Sequence, residues 1–124
     1  MVHKRRGYDR TQRVSDLLQK ALAQILMNDM TDERFRLVTI TSVVVARDLS
    51  YAKVFVTVLL DDQVKIKQTI DALNRAVKAL RYQLAREVKL RIVPELKFAY
   101  DESTAHGFRI SLLIDEAVKK AKDE

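Results

Sequence analysis

The chain has no cysteine, one proline and only two glycines among its 124 residues. Without thiols it cannot be a disulfide scaffold, a zinc finger, an iron–sulfur protein or an enzyme with a thiol nucleophile. The absence also fits a reducing compartment. Glycine stands only at positions 7 and 107, which excludes a glycine-rich phosphate loop. His3 and His106 are too few for a histidine-based metal site. Long apolar runs are missing too: the longest are a handful of residues, such as Val43–Ala46, whereas a membrane-spanning helix needs about 20. The opening Met1-Val2-His3-Lys4-Arg5-Arg6 is charged with no apolar segment behind it, unlike a signal peptide. The expected location is the cytoplasm.

What is present describes a folded chain. Hydrophobic residues make up 48% and charged residues 32%, which excludes a disordered composition. The length fits one domain, able to bury roughly two-thirds of its unfolded surface. Twenty-three lysines and arginines oppose 17 acids, giving a net charge of +6 and a pI near 9.7. That balance favours an acidic partner such as nucleic acid or a membrane surface.

Positions 1–8 read as a basic flexible arm, 9–118 as a domain and 119–124 as a charged tail. Asp9 and Gln12 resemble a capping box, so a helix is expected from Arg10. Val14, Leu17, Leu18, Ala21, Leu22, Ile25 and Leu26 then form one apolar stripe that fades near Asn28. Thr31–Arg36 is turn-like. Val38–Ala46 reads as a strand whose alternation slips between Ile40 and Val43, which suggests a bulge. After the short Arg47-Asp48-Leu49-Ser50 connection comes a second strand, Tyr51–Leu60, with Ala52, Val54, Val56 and Val58 on one face. The short link implies an antiparallel hairpin. Ile66, Ile70, Leu73, Val77, Leu80, Leu84 and Val88 alternate steps of four and three, so periodicity predicts one long helix over 63–90. Ile92–Tyr100 is a third strand with Pro94 near its start. Ile110, Leu113, Ile114, Ala117, Val118 and Ala121 predict a terminal helix. The order, α-β-β-α-β-α with the central helix open to division in two, makes an α+β fold: a three-stranded sheet covered by helices.

The excess charge is concentrated. Residues 1–13 carry five lysines and arginines against one acid, +4. Residues 75–91 carry six against one, +5, and the rest of the chain sums to −3. A charge run is commonly just a solvated helix face. Clustered cations with almost no compensating acid instead favour phosphate contacts, whose counterion release makes binding salt-sensitive. The candidate RNA-binding residues are Arg5, Arg6, Arg10, Arg13, Arg75, Lys78, Arg81, Arg86, Lys89 and Arg91. Asp61-Asp62 reads as a helix cap rather than a metal or acid–base pair. His106 reads as a surface or packing residue. Arg47-Asp48 fits either a phosphate contact or a turn ion pair. The eight aromatics mostly fit core positions, which argues against a recognition sheet of exposed aromatics.

Three stretches carry a family resemblance: Arg47-Asp48-Leu49-Ser50-Tyr51-Ala52-Lys53-Val54-Phe55-Val56, Leu90-Arg91-Ile92-Val93-Pro94-Glu95-Leu96, and Gly107-Phe108-Arg109-Ile110. Over about Arg10 to Val118 the chain resembles ribosome-binding factor A, a bacterial small-subunit assembly factor. The resemblance implies a type II KH-like domain, α-β-β-α-α-β, without the Gly-x-x-Gly clamp. It implies a kinked helix pair marked by Ala-x-Gly. The matching positions here are Ala76-Val77-Lys78, with lysine in place of the glycine, and the kink is expected near 75–78. It further implies a non-enzymatic, cofactor-free monomer. Such a protein binds the free 30S subunit and 16S rRNA, assists 5′-end maturation, supports growth in the cold, and is released with help from an assembly GTPase. On this reading, reversing Lys78 and Arg81 to glutamate abolishes subunit binding and leaves the fold intact. A nuclease using Asp61 and Asp62 would instead cleave RNA with Mg²⁺, and a pure protein-interaction module would bind without sensitivity to salt.

Overall fold

The computed structural model describes residues 2–105, with side chains described for 10–103. The terminal helix and tail expected beyond 105, together with Gly107-Phe108-Arg109-Ile110 and His106, lie outside the described residues.

Helix α1 runs Val2–Asn28. It buries Leu18, Leu22, Ile25 and Leu26 completely or nearly so, as the stripe requires. Each such side chain contributes about 1.5–3 kcal/mol. The backbone of residues 2–8 continues this helix, which corrects the expected start at Arg10. Once the buried turns nucleate a helix, adding one residue fixes two dihedrals for one hydrogen bond, so good formers such as lysine and arginine extend it.

The expected turn holds a short 3₁₀ helix, Glu33–Leu37, capped by Asp32 and burying Phe35. Strand β1, Val38–Val45, pairs antiparallel with β2, Tyr51–Val58. Their register shifts between Ile40 and Ser42, which is the bulge the broken alternation predicts. The link between them closes through Leu49 N–H to the Ala46 carbonyl at 2.8 Å. Asp48 accepts from the Ser50 N–H and hydroxyl at 3.1 and 2.7 Å. Asp48 therefore builds the turn through its neighbour's groups. Ala52, Val54, Val56 and Val58 are all buried.

Helix α2, Gln63–Arg75, begins at Asp62, whose carboxylate accepts from the Val64 and Lys65 N–H groups at 2.8 and 3.4 Å. The aspartate pair thus supplies a cap. Helix α3 is Val77–Glu87. The continuous helix over 63–90 that periodicity predicts is therefore corrected. The axis breaks at Ala76, at φ −91° and ψ 5°, whose N–H is shared between the Ala72 and Leu73 carbonyls at 3.0 Å each. The kink expected from the family resemblance is present although lysine stands where the glycine would be.

Strand β3, Glu95–Tyr100, starts three residues later than expected. Proline has no N–H to give the ladder, and the first donor is Glu95 N–H to the Ser50 carbonyl at 3.0 Å. Strand β3 lies parallel to β2, giving the sheet order β1-β2-β3. Two parallel neighbours need a long crossover, which α2 and α3 supply. Helix α1 packs on β1, while α2 and α3 pack on β3. The three enclose one core with Leu73, Leu80, Leu84, Leu96 and Phe98. A last described turn, α4, spans Glu102–Ala105. The chain is an α+β fold in the order α-β-β-α-α-β.

Candidate nucleic-acid interface

The core decides which side of α3 meets solvent. Leu80 and Leu84 are fully buried, so residues on the opposite side of the helix point outward. Lys78, Tyr82 and Arg86 are exposed and follow one another at steps of four, which aligns them along one line of the cylinder. Arg75, the last residue of α2, and Lys89, just beyond α3, flank this helix in the chain, and both are exposed. Arg91 is exposed on the connection to β3. Among the described residues the ion pairs are Arg34–Asp32 at 2.7 Å and Lys67–Asp71 at 3.1 Å. None of the α3 cations takes part in one. Arg75 and Arg86 also lie in the last turns of their helices, where a cation complements the helix dipole. That role is compatible with an exposed charge meeting a phosphate.

Arg81 behaves differently. Its Nε donates to the Pro94 carbonyl at 3.0 Å and its Nη2 to the Val93 carbonyl at 2.7 Å, and the residue is half-buried. Position 81 is one helical step from both Val77 and Leu84, on the flank beside the apolar stripe. Its guanidinium is spent on the chain's own backbone. Arg81→Glu therefore removes a structural contact as well as a charge, and a loss of binding in that variant would not by itself report a phosphate contact.

The other candidates are dispersed. Arg10 and Arg13 are exposed on α1. Arg13 lines a groove between α1 and β1, with Lys20 and Arg36, that includes none of the α3 cations. Arg5 and Arg6 lie on the first turns of α1, outside the described side chains. Asp32, in the loop before the 3₁₀ helix, is held below the ordinary carboxylate value. The fork of hydrogen bonds from Arg34 is the chief cause, and the more distant charge of Arg75 adds to it.

The cations' scaffold is fixed by an asparagine that periodicity passes over. Asn74 Nδ2 donates to the Phe98 carbonyl at 3.1 Å, and its Oδ1 accepts from the Phe98 N–H at 2.8 Å. This amide takes the place of a neighbouring strand on the outer edge of β3. Tyr82 is a second residue that sequence reasoning missed. Its ring is 64% exposed, and the Arg86 guanidinium lies 5.9 Å from its centroid. Its spacing of four from both Lys78 and Arg86 was the available signal. Among the described residues no group of three or more His, Asp or Glu is placed to hold a metal ion, and no helix is long and apolar enough to cross a membrane.

The family model described as ribosome-binding factor A matches residues 10–114. The chain belongs to the ribosome-binding factor A family. Ribosome-binding factor A of Pseudomonas syringae pv. syringae is 52% identical over 112 residues, covering 90% of this chain and 81% of the relative. The Nitrosomonas europaea protein is 47% identical over 116 residues, covering 94% and 98%. The crystal structure of ribosome-binding factor A from Thermus thermophilus superposes with a TM-score of 0.64 at 29% identity, covering 73% of this chain and 93% of that one. A homology model of the Thermus thermophilus factor, fitted into the cryo-EM map of its 30S complex, matches with a TM-score of 0.59 at 29% identity over 72% and 92%. The break at Ala76 has exposed cations on both sides of it, Arg75 at the end of α2 and Lys78 in α3.

Proposed function

We propose that this chain is a ribosome assembly factor that binds the free 30S subunit. Arg75, Lys78, Arg86, Lys89 and Arg91 contact phosphates of 16S rRNA, and Arg5, Arg6, Arg10 and Arg13 on α1 add further contacts. The observation that carries the reading is the row of exposed cations along α3 without an ion pair. The family membership and the 30S complex of the Thermus relative support it. Phosphate contacts orient a protein on RNA without reading its sequence. The shape of the subunit then supplies specificity. The chain catalyses no reaction: it favours one rRNA conformation by binding it more tightly, which is the only way a protein without an energy source shifts an equilibrium. In this way it assists late maturation and 5′-end processing of 16S rRNA and supports growth in the cold. It acts as a cytoplasmic monomer, with an assembly GTPase promoting release.

The test is co-sedimentation with separated 30S, 50S and 70S particles across a salt series. Selective pelleting with 30S that weakens as salt rises is expected. Equal pelleting with all three would reduce the row to generic basic adhesion. No pelleting at low salt would overturn RNA binding.

A further inference from the structure

Tyr82 is the one aromatic residue in the α3 row, and its setting is unusual for a side chain of that size. An aromatic ring on a helix normally turns toward a core. This ring is 64% exposed, on the side opposite the fully buried Leu80 and Leu84. Lys78 lies one turn before it and Arg86 one turn after. The Arg86 guanidinium is 5.9 Å from the ring centroid, within reach of a cation–π contact that steadies the ring's orientation. The result is a flat apolar surface bracketed by two cations, with Arg75 and Lys89 flanking the helix in the chain.

We infer that Tyr82 is a stacking platform for an unpaired RNA base. The inference rests on the RNA-binding reading of the α3 row and deepens it. A row of cations follows a phosphate backbone. Phosphates of a single strand carry bases that can splay away from it, and an exposed aromatic face between two cations is an arrangement on which such a base stacks. Stacking tolerates any base, because each has a π-face. The platform therefore fits a single-stranded or bulged segment rather than a duplex, whose bases are stacked on one another. A protein partner would also be held by an exposed tyrosine, but the surrounding charge, six cations against the single acid Glu87 over 75–91, favours a polyanion.

The experiment compares the wild-type chain with Tyr82→Ala and Tyr82→Phe. Binding to 30S subunits is measured by co-sedimentation and binding to a single-stranded oligoadenylate by fluorescence anisotropy, each across a salt series. Tyr82→Ala should weaken both by about 5- to 150-fold, the range for loss of one stacked base. Tyr82→Phe should retain wild-type affinity. The slope of log K against log salt should be the same in all three, because no phosphate contact changes. Unchanged affinity in Tyr82→Ala, or an equal loss in Tyr82→Phe, would overturn stacking. So would a loss confined to 30S with oligoadenylate unaffected, which would assign Tyr82 to a protein contact. A wild-type slope near zero would overturn the underlying phosphate reading instead. Circular dichroism of each variant checks the fold.

Discussion

Arg81 and Lys78 stand three residues apart on α3, yet their charges meet different things. Lys78 meets solvent. Arg81 meets the Val93 and Pro94 carbonyls. Hydrogen bonds from a charged group contribute about 1.5–3 kcal/mol, so Arg81→Ala should lower unfolding stability by that order in urea titration. Lys78→Glu should change it by less than about 0.5 kcal/mol, as exposed substitutions do. Acid stability is also set by single residues. The Arg34 fork holds the Asp32 carboxyl below its ordinary value of 3.8, and the Ser50 hydroxyl and N–H do the same for Asp48. Both groups bind protons less readily when folded. Their stabilisation is complete above the ordinary carboxylate value and fades as pH falls through the lower folded values. The urea midpoint should therefore decline below about pH 4, and less steeply in Asp32→Asn and Asp48→Asn. Charge composition located the cations, but it could not separate a cation that faces solvent from one that faces a carbonyl.

At the scale of elements, the break at Ala76 has no glycine or proline to cause it. Tertiary anchors on either side account for it. Asn74 ties the end of α2 to β3 at Phe98, and Arg81 ties α3 to the chain entering β3. With α2 fastened to β3 and α3 to the segment leading into it, each helix is held by its own anchor. The apolar steps of four and three run through the break in phase, because both helices bury their stripe in one core. Periodicity therefore could not see it. If the anchors cause the break, Lys78→Gly should leave the helix pair bent and cost about 1 kcal/mol in helix propensity alone. Unfolding titration and amide chemical shifts across 74–80 would read this. Asn74→Ala should cost about 1–3 kcal/mol, leaving the edge of β3 unsatisfied. It should also speed hydrogen exchange at the Phe98 amide. The bulge in β1 was legible, since the side-chain alternation itself breaks at Ile40–Val43. Its purpose was not. The register shift turns Thr41 so that its hydroxyl bonds with the carboxylate of buried Asp101, sixty residues away. Thr41→Val should destabilise by about 1–3 kcal/mol for that reason.

For the whole molecule, the fold turns the basic segment 75–91 outward to solvent. Helix α3 carries its cations outward because its other side is sealed into the core. Their loss should register in salt dependence rather than in stability. Each phosphate contact removed should reduce the slope of log K against log salt by about 0.7–0.9. Lys78→Gln combined with Arg86→Gln should therefore lower the slope for 30S binding by about 1.4–1.8 if both meet phosphates, while the urea midpoint stays close to wild type. An unchanged slope in the folded double variant would remove α3 from the interface.

Local signals determined by themselves everything that is periodic or compositional in this protein: the apolar stripes, the hairpin and its bulge, the Asp62 cap, and the concentration of positive charge around 75–91. These are legible because side-chain spacing repeats with the backbone geometry that produces it. Tertiary structure alone decided the parallel pairing of β3 with β2, the division of the central helix at Ala76 and the inward turn of Arg81. Each depends on contacts between residues distant in sequence, and such contacts leave no period behind.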